Sequence, residues 1–219
     1  MIKKESTSLL LGVVCAVVAV FSAALVAAFA PNLVARWRVG NGQGNETGSG
    51  VPTEPPKAMA NFTLINQNGG SSSLSDFKGK PTLLFFGYTF CPDICPVTMS
   101  DFKKVKQQLG AQADGVKFVM ISVDGERDTP AVIKRYVEAF DPGFIGLTGD
   151  DAAVTPVAAD YGAYFTRSKL QGTQSSYLVG HTSYVYLVDG QGRWRMTYPF
   201  GSPADGMAGD VRALLREAK

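Results

Sequence analysis

PTLLFFGYTFCPDICP, Pro81–Pro96, joins a continuous apolar run to two cysteines four residues apart, each with a proline beside it. Pro81–Tyr88 carries no charge and is rich in aromatic residues, the pattern of a strand covered on both faces. Beyond the cysteines, Met99, Phe102, Val105 and Leu109 recur at helical spacing. Pro96 suits the first helical position, where its missing N–H is no loss, which leaves Cys95 just ahead of the helix. Val116–Val123, VKFVMISV, is a second buried-strand run. Strand, cysteine loop, helix and strand make a βαβ unit. Its reactive side chains then lie at the carboxyl end of the first strand, where open α/β sheets place their sites.

Working outward, Phe62–Gln67, the turn Asn68-Gly69 and a serine-rich return to Leu74 read as a hairpin leading into the core. A second helix is expected from Thr129-Pro130 to Phe140 and a third over Asp150–Tyr161. Ser183–Val188 and Arg193–Tyr198 flank the turn Asp189–Gly192 as an antiparallel pair, and a last helix follows over Pro203–Glu217. The succession βαβ then ββα is an α/β fold with the thioredoxin layout, preceded by an N-terminal hairpin.

The 219 residues allow one domain and an appendage. Lys and Arg total 21 against 19 Asp and Glu, with no basic run to track a phosphate backbone, so nucleic acid is not an expected partner. Leu9–Ala30 is uncharged and about twenty residues long, enough for a single transmembrane helix. A cleaved secretory signal is the rival reading, but the apolar stretch is long for one, and Pro31 follows the best small-residue cleavage site. Cys15 falls in mid-span as an apolar filler. Val39–Lys57 is Gly, Pro and polar residues with almost nothing to bury. The expected organisation is an anchor with flanks over 1–38, a flexible linker over 39–58 and a globular domain over 59–219. That arrangement places the protein at the cell membrane, single-pass, with its domain on the extracytoplasmic side.

Three cysteines permit at most one internal disulfide, too few to replace a core. Cys91 and Cys95 face the positive end of the following helix, which favours thiolate. They can be a disulfide pinning the turn, a redox couple or part of a metal site. A thioredoxin-type couple has two intervening residues; here there are three, which opens the bite for an ion. The lone histidine, His181, precedes the strand starting at Ser183, and in this layout its loop faces the cysteine turn. Two thiolates and one imidazole suit Cu(I), or Cu(II) with a further weak ligand, whereas structural zinc wants four ligands. Met99 fits the core face of its helix rather than the metal. The polar stretch Thr166–Gly180 is expected to be a loop that swings His181 toward the thiols when metal arrives. Asp124, Glu126, Arg127 and Asp128 form a charged turn, with Asp128-Thr129-Pro130 reading as a helix start. Asp93 reads as a solvated loop acid.

Three motifs together resemble the Sco/SenC family, membrane-tethered copper proteins needed to build the CuA centre of cytochrome c oxidase. They are GYTFCPDICP (Gly87–Pro96), SVDGERDTP (Ser122–Pro130) and VGHTS (Val179–Ser183) running into YVYLVDGQG. The resemblance implies that Cys91, Cys95 and His181 are copper ligands. It also implies the CuA-bearing oxidase subunit as partner, with an upstream copper donor or a thiol reductant. Gly180 stands where the family usually has Asp, and Gly125 where it usually has Pro, a change expected to loosen that loop. The alternative function is a thiol–disulfide oxidoreductase with Cys91 and Cys95 as its catalytic pair. A peroxiredoxin-type peroxidase fits less well, because Thr89 lies two residues before Cys91 where that family usually has three.

Overall fold

The computed structural model describes residues 50–169 and 177–217. Among these, no helix is long and apolar enough to cross a membrane; the expected span Leu9–Ala30, Cys15 and the first part of the expected linker lie outside the described residues.

Among the described residues, ten strands and four α-helices follow one another as β1 (Val51–Ala58), β2 (Thr63–Asn66), β3 (Ser71–Ser73), β4 (Thr82–Gly87), α1 (Ile94–Leu109), β5 (Lys117–Ser122), α2 (Pro130–Phe140), β6 (Ile145–Thr148), α3 (Asp151–Asp160), β7 (Phe165–Lys169), β8 (Tyr177–His181), β9 (Val185–Val188), β10 (Arg193–Tyr198) and α4 (Ala204–Glu217). Eight strands form one sheet in the order β1-β10-β9-β4-β5-β6-β2-β3. β4, β5 and β6 run parallel, and β9 lies antiparallel on the other side of β4. The parallel strands come from the uncharged runs. All six residues of β4 are buried, as a strand covered on both faces requires.

The hairpin forms as expected, with Gly69 supplying a positive φ of 84° in its turn. It is also part of the main sheet, because β2 pairs antiparallel with β6. α1 carries Met99, Phe102, Val105 and Leu109 into the core, so Met99 is a packing residue. That helix begins at Ile94, two residues earlier than the proline suggests. Pro96 is its third residue, still within the first turn where no intrahelical N–H bond is lost. Cys95 is therefore inside the helix, not ahead of it.

Two expectations need correcting. The tether over 39–58 does not extend to its predicted end, because Val51–Ala58 is a strand on the sheet edge, paired with β10 and irregular between Pro52 and Lys57. Its residues are nearly all exposed. A proline-rich edge strand shows no alternation of apolar side chains, so its pairing is invisible in local pattern. The predicted swinging loop is likewise ordered at both ends. β7 and β8 pair as a separate antiparallel ladder, with Phe165 opposite His181; residues 170–176 lie outside the described part of the chain.

Candidate metal centre

The β4–α1 turn and the end of β8 bring Cys91, Cys95 and His181 together. Their ligand atoms all lie within 4.8 Å of one another. Both cysteines are free thiols, Cys95 buried and Cys91 partly exposed. The Cys95 backbone N–H donates to Cys91 Sγ at 3.4 Å, so the first turn of α1 aims an amide at the outer sulfur. The adjoining Cys95 thiol, and then the amides of the turn, hold the Cys91 thiol down to about 4, against the opposing effect of burial. The hydrogen bond with the Cys91 sulfur, and then burial, pushes Cys95 up. The pair thus carries one thiolate, on the exposed side, and one proton, on the buried side.

His181 completes the group. Its Nε2 stands 3.3 Å from Cys95 Sγ. Its Nδ1 lies 3.0 Å from the Thr182 carbonyl oxygen. A carbonyl only accepts, so Nδ1 donates to it and Nε2 is the nitrogen turned toward the sulfurs. The ring is wedged edge-on between Tyr88 and Phe85, with centroids 5.7 and 5.9 Å away. Thr182 N–H donates to the Tyr164 carbonyl at 2.9 Å, which closes the β7–β8 ladder beyond the histidine. No swing is needed to bring the imidazole to the thiols.

The second motif supports the site in a way its reading as a helix start did not convey. Pro130 does open α2, with Thr129 as cap. The Asp128 carboxylate, however, is fully buried and turned toward the cysteine loop. It accepts from Thr89 N–H at 2.9 Å, Thr89 Oγ1 at 2.6 Å and Ser122 Oγ at 2.6 Å. Burial pushes its carboxyl up, and these three donors work against that. Asp128 therefore ties the residue two before Cys91 to the end of β5. Asp124 is also fully buried; it pairs with Arg127 and accepts from Tyr177 Oη at 2.6 Å. A cluster of four charges in nine residues was the available signal, but its direction is a property of the fold.

Gly125 is not a loosened position. A Cβ there would fall 1.9 Å from the Gly149 carbonyl oxygen, so the loop presses against the β6–α3 connection. Gly180 differs: a Cβ would meet only Thr166, at 3.6 Å, and the position is exposed. Asp93, the cap position of α1, makes no side-chain cap hydrogen bond.

Two sulfurs and one imidazole nitrogen form a soft donor set. Among the described residues no other group of three His, Cys, Asp or Glu side chains has metal-binding spacing, and this one offers no fourth ligand from those types. That composition suits copper better than structural zinc.

Residues 51–216 match the family model described as SCO1/SenC. An SCO2-like protein of Rickettsia felis is 34% identical over 138 residues, covering 63% of this chain and 67% of the relative. The mitochondrial SCO2 homolog of Bos taurus is 34% identical over 156 residues, 70% of this chain and 58% of that one. Among solved structures, copper-bound ScoI of Bradyrhizobium japonicum superposes with a TM-score of 0.66 at 38% identity, covering 72% of this chain and 99% of ScoI.

Proposed function

Because the chain belongs to the SCO1/SenC family, we propose that it is a copper metallochaperone that holds Cu(I) or Cu(II) through Cys91, Cys95 and His181 and helps assemble the CuA centre of cytochrome c oxidase. The observation that carries this reading is the convergence of those three ligand atoms within 4.8 Å. ScoI, to which the domain is similar, is copper-bound in its structure. Copper is the cargo here. Cys91 meets it as a thiolate, Cys95 gives up its proton on binding, and His181 offers Nε2, the nitrogen already turned toward the sulfurs. Release to an apo-CuA domain proceeds by ligand exchange, the partner's donors replacing these three in turn. The partner is the CuA-bearing subunit, with an upstream copper donor or a thiol reductant preparing the site. The apolar span Leu9–Ala30 supports a single-pass anchor at the cell membrane with the domain on the extracytoplasmic side.

A second reading rests on the depressed pKa of the partly exposed Cys91. As a thiol–disulfide oxidoreductase, Cys91 Sγ attacks a disulfide in the CuA site and releases one partner thiolate. Cys95 then attacks Cys91 Sγ, frees the second partner sulfur and passes its proton to a leaving thiolate. The partner gains two electrons and becomes a dithiol, one proton coming from Cys95 and the other from solvent, while Cys91 and Cys95 become a disulfide that an external thiol reductant must restore.

The deciding experiment offers apo-CuA domain, once with its cysteines reduced and once oxidised, to reduced protein with and without copper, and follows both copper and disulfide. Copper transfer from the loaded form supports the chaperone. Disulfide reduction by the metal-free form alone, with no copper transfer, supports the oxidoreductase instead.

A further inference from the structure

Arg127, in the loop between β5 and α2, contacts residues on both sides of the candidate site, although a guanidinium, with no lone pair to offer, is not itself a metal ligand. Its guanidinium lies 3.8 Å from the Tyr177 ring centroid and 4.9 Å from that of Phe90. Phe90 immediately precedes Cys91, and Tyr177 opens the strand that ends at His181. Arg127 Nη1 also donates to the Tyr177 carbonyl at 3.0 Å. Its charge is balanced by Asp124, which in turn accepts from the Tyr177 hydroxyl. One planar cation is thus sandwiched between the cysteine loop and the histidine hairpin, with a buried carboxylate behind it. Phe90 is 56% exposed, so its ring is held against the guanidinium rather than by the core.

We propose that Arg127 is a positioning residue that latches the β7–β8 hairpin to the cysteine loop and so sets how fast His181 leaves the sulfurs. The proposal rests on the copper reading for its consequence, slow release of the ion, but the latch itself is a property of the metal-free protein. Stacking on two aromatic faces needs a flat guanidinium. Arg127→Lys keeps the charge beside Asp124, avoiding a buried unpaired carboxylate, and loses both the flat stack and the Nη1 bond. Phe90→Ala removes the ring on the cysteine side at an exposed position, and Phe90→Tyr restores it.

Two measurements test this in the full chain. Hydrogen exchange on the reduced, metal-free protein reads the hairpin directly. Arg127→Lys and Phe90→Ala should speed exchange of the β8 amides about tenfold, leave β4 and β5 unchanged, and be reversed in Phe90→Tyr. Release of copper to a competing chelator should speed by a similar factor in the same two variants, with one ion bound and the same sulfur and nitrogen neighbours as wild type. Unchanged β8 exchange overturns the latch whether or not copper binds. Faster exchange with unchanged release overturns its control of the ion. Failure of wild type to bind copper strikes the function proposed above and leaves the exchange result to decide the latch.

Discussion

The Nε2 of His181 stands 3.3 Å from the Sγ of Cys95 in a chain with one histidine. Strand β8 carries the imidazole to the first turn of α1, and the Thr182 carbonyl fixes which nitrogen faces the sulfurs. The two residues are 86 positions apart in sequence, so their meeting is a product of the fold.

His181→Ala should leave the metal-free domain folded and weaken copper binding by at least about 100-fold, since losing even an outer partner of a metal ligand costs roughly 10–100-fold. Competition against a chelator of known affinity measures this. Unaltered affinity would remove the histidine from the ligand set.

Cys91 should alkylate almost as fast at pH 6 as at pH 8, because it is a thiolate throughout that range, its pKa held down to about 4. An ordinary thiol, titrating near 8.5, would slow roughly tenfold per pH unit below that value. Cys95, buried and pushed up, should stay unlabelled. The sign for stability follows: a depressed thiol contributes stability above its unfolded pKa and loses it as pH falls toward the folded value. Cys91→Ser should therefore differ least from wild type near pH 4, and the difference should grow as pH rises toward the ordinary thiol range. Mass-resolved alkylation rates and urea melts at several pH values check both.

Asp128→Ala should destabilise the domain by about 3 kcal/mol. It strips three hydrogen bonds from a fully buried site and leaves Thr89 and Ser122 donors unmatched, and each orphaned buried group costs about 1–3 kcal/mol. Urea denaturation gives the number; a loss under about 1 kcal/mol would mean water replaces the carboxylate.

The two departures from the family pattern should behave oppositely. Gly125→Ala puts a Cβ against the Gly149 carbonyl and should cost about 1–3 kcal/mol. Gly180→Asp enters open, exposed space and should stay within about 0.5 kcal/mol of wild type. Thermal melts of the pair decide, and equal effects would contradict the close approach at Gly125.

The parts legible in sequence were those written in local pattern. β4 and β5 announce themselves as uncharged runs, α1 by the spacing of Met99, Phe102 and Val105, and α2 by Pro130. The three residues that converge at the candidate site were also legible as a group, because few cysteines and histidines exist to choose from. β1 was missed because an exposed, proline-rich edge strand is defined by its partner β10, not by its own side chains. The loop before His181 was misread because a polar stretch such as Thr166–Lys169 pairs through its backbone, and backbone bonds leave no mark on residue type. Asp128 was assigned to its helix because sequence gives a carboxylate's neighbours along the chain; Thr89 is 39 residues away.

X-ray absorption at the copper edge of the loaded full-length protein tests the central claim most directly. The account predicts two sulfur neighbours and at least one imidazole nitrogen, with the nitrogen signal lost in His181→Ala and sulfur lost in Cys91→Ser and Cys95→Ser. A copper spectrum with no imidazole in the wild type, or one that His181→Ala leaves unchanged, would contradict it.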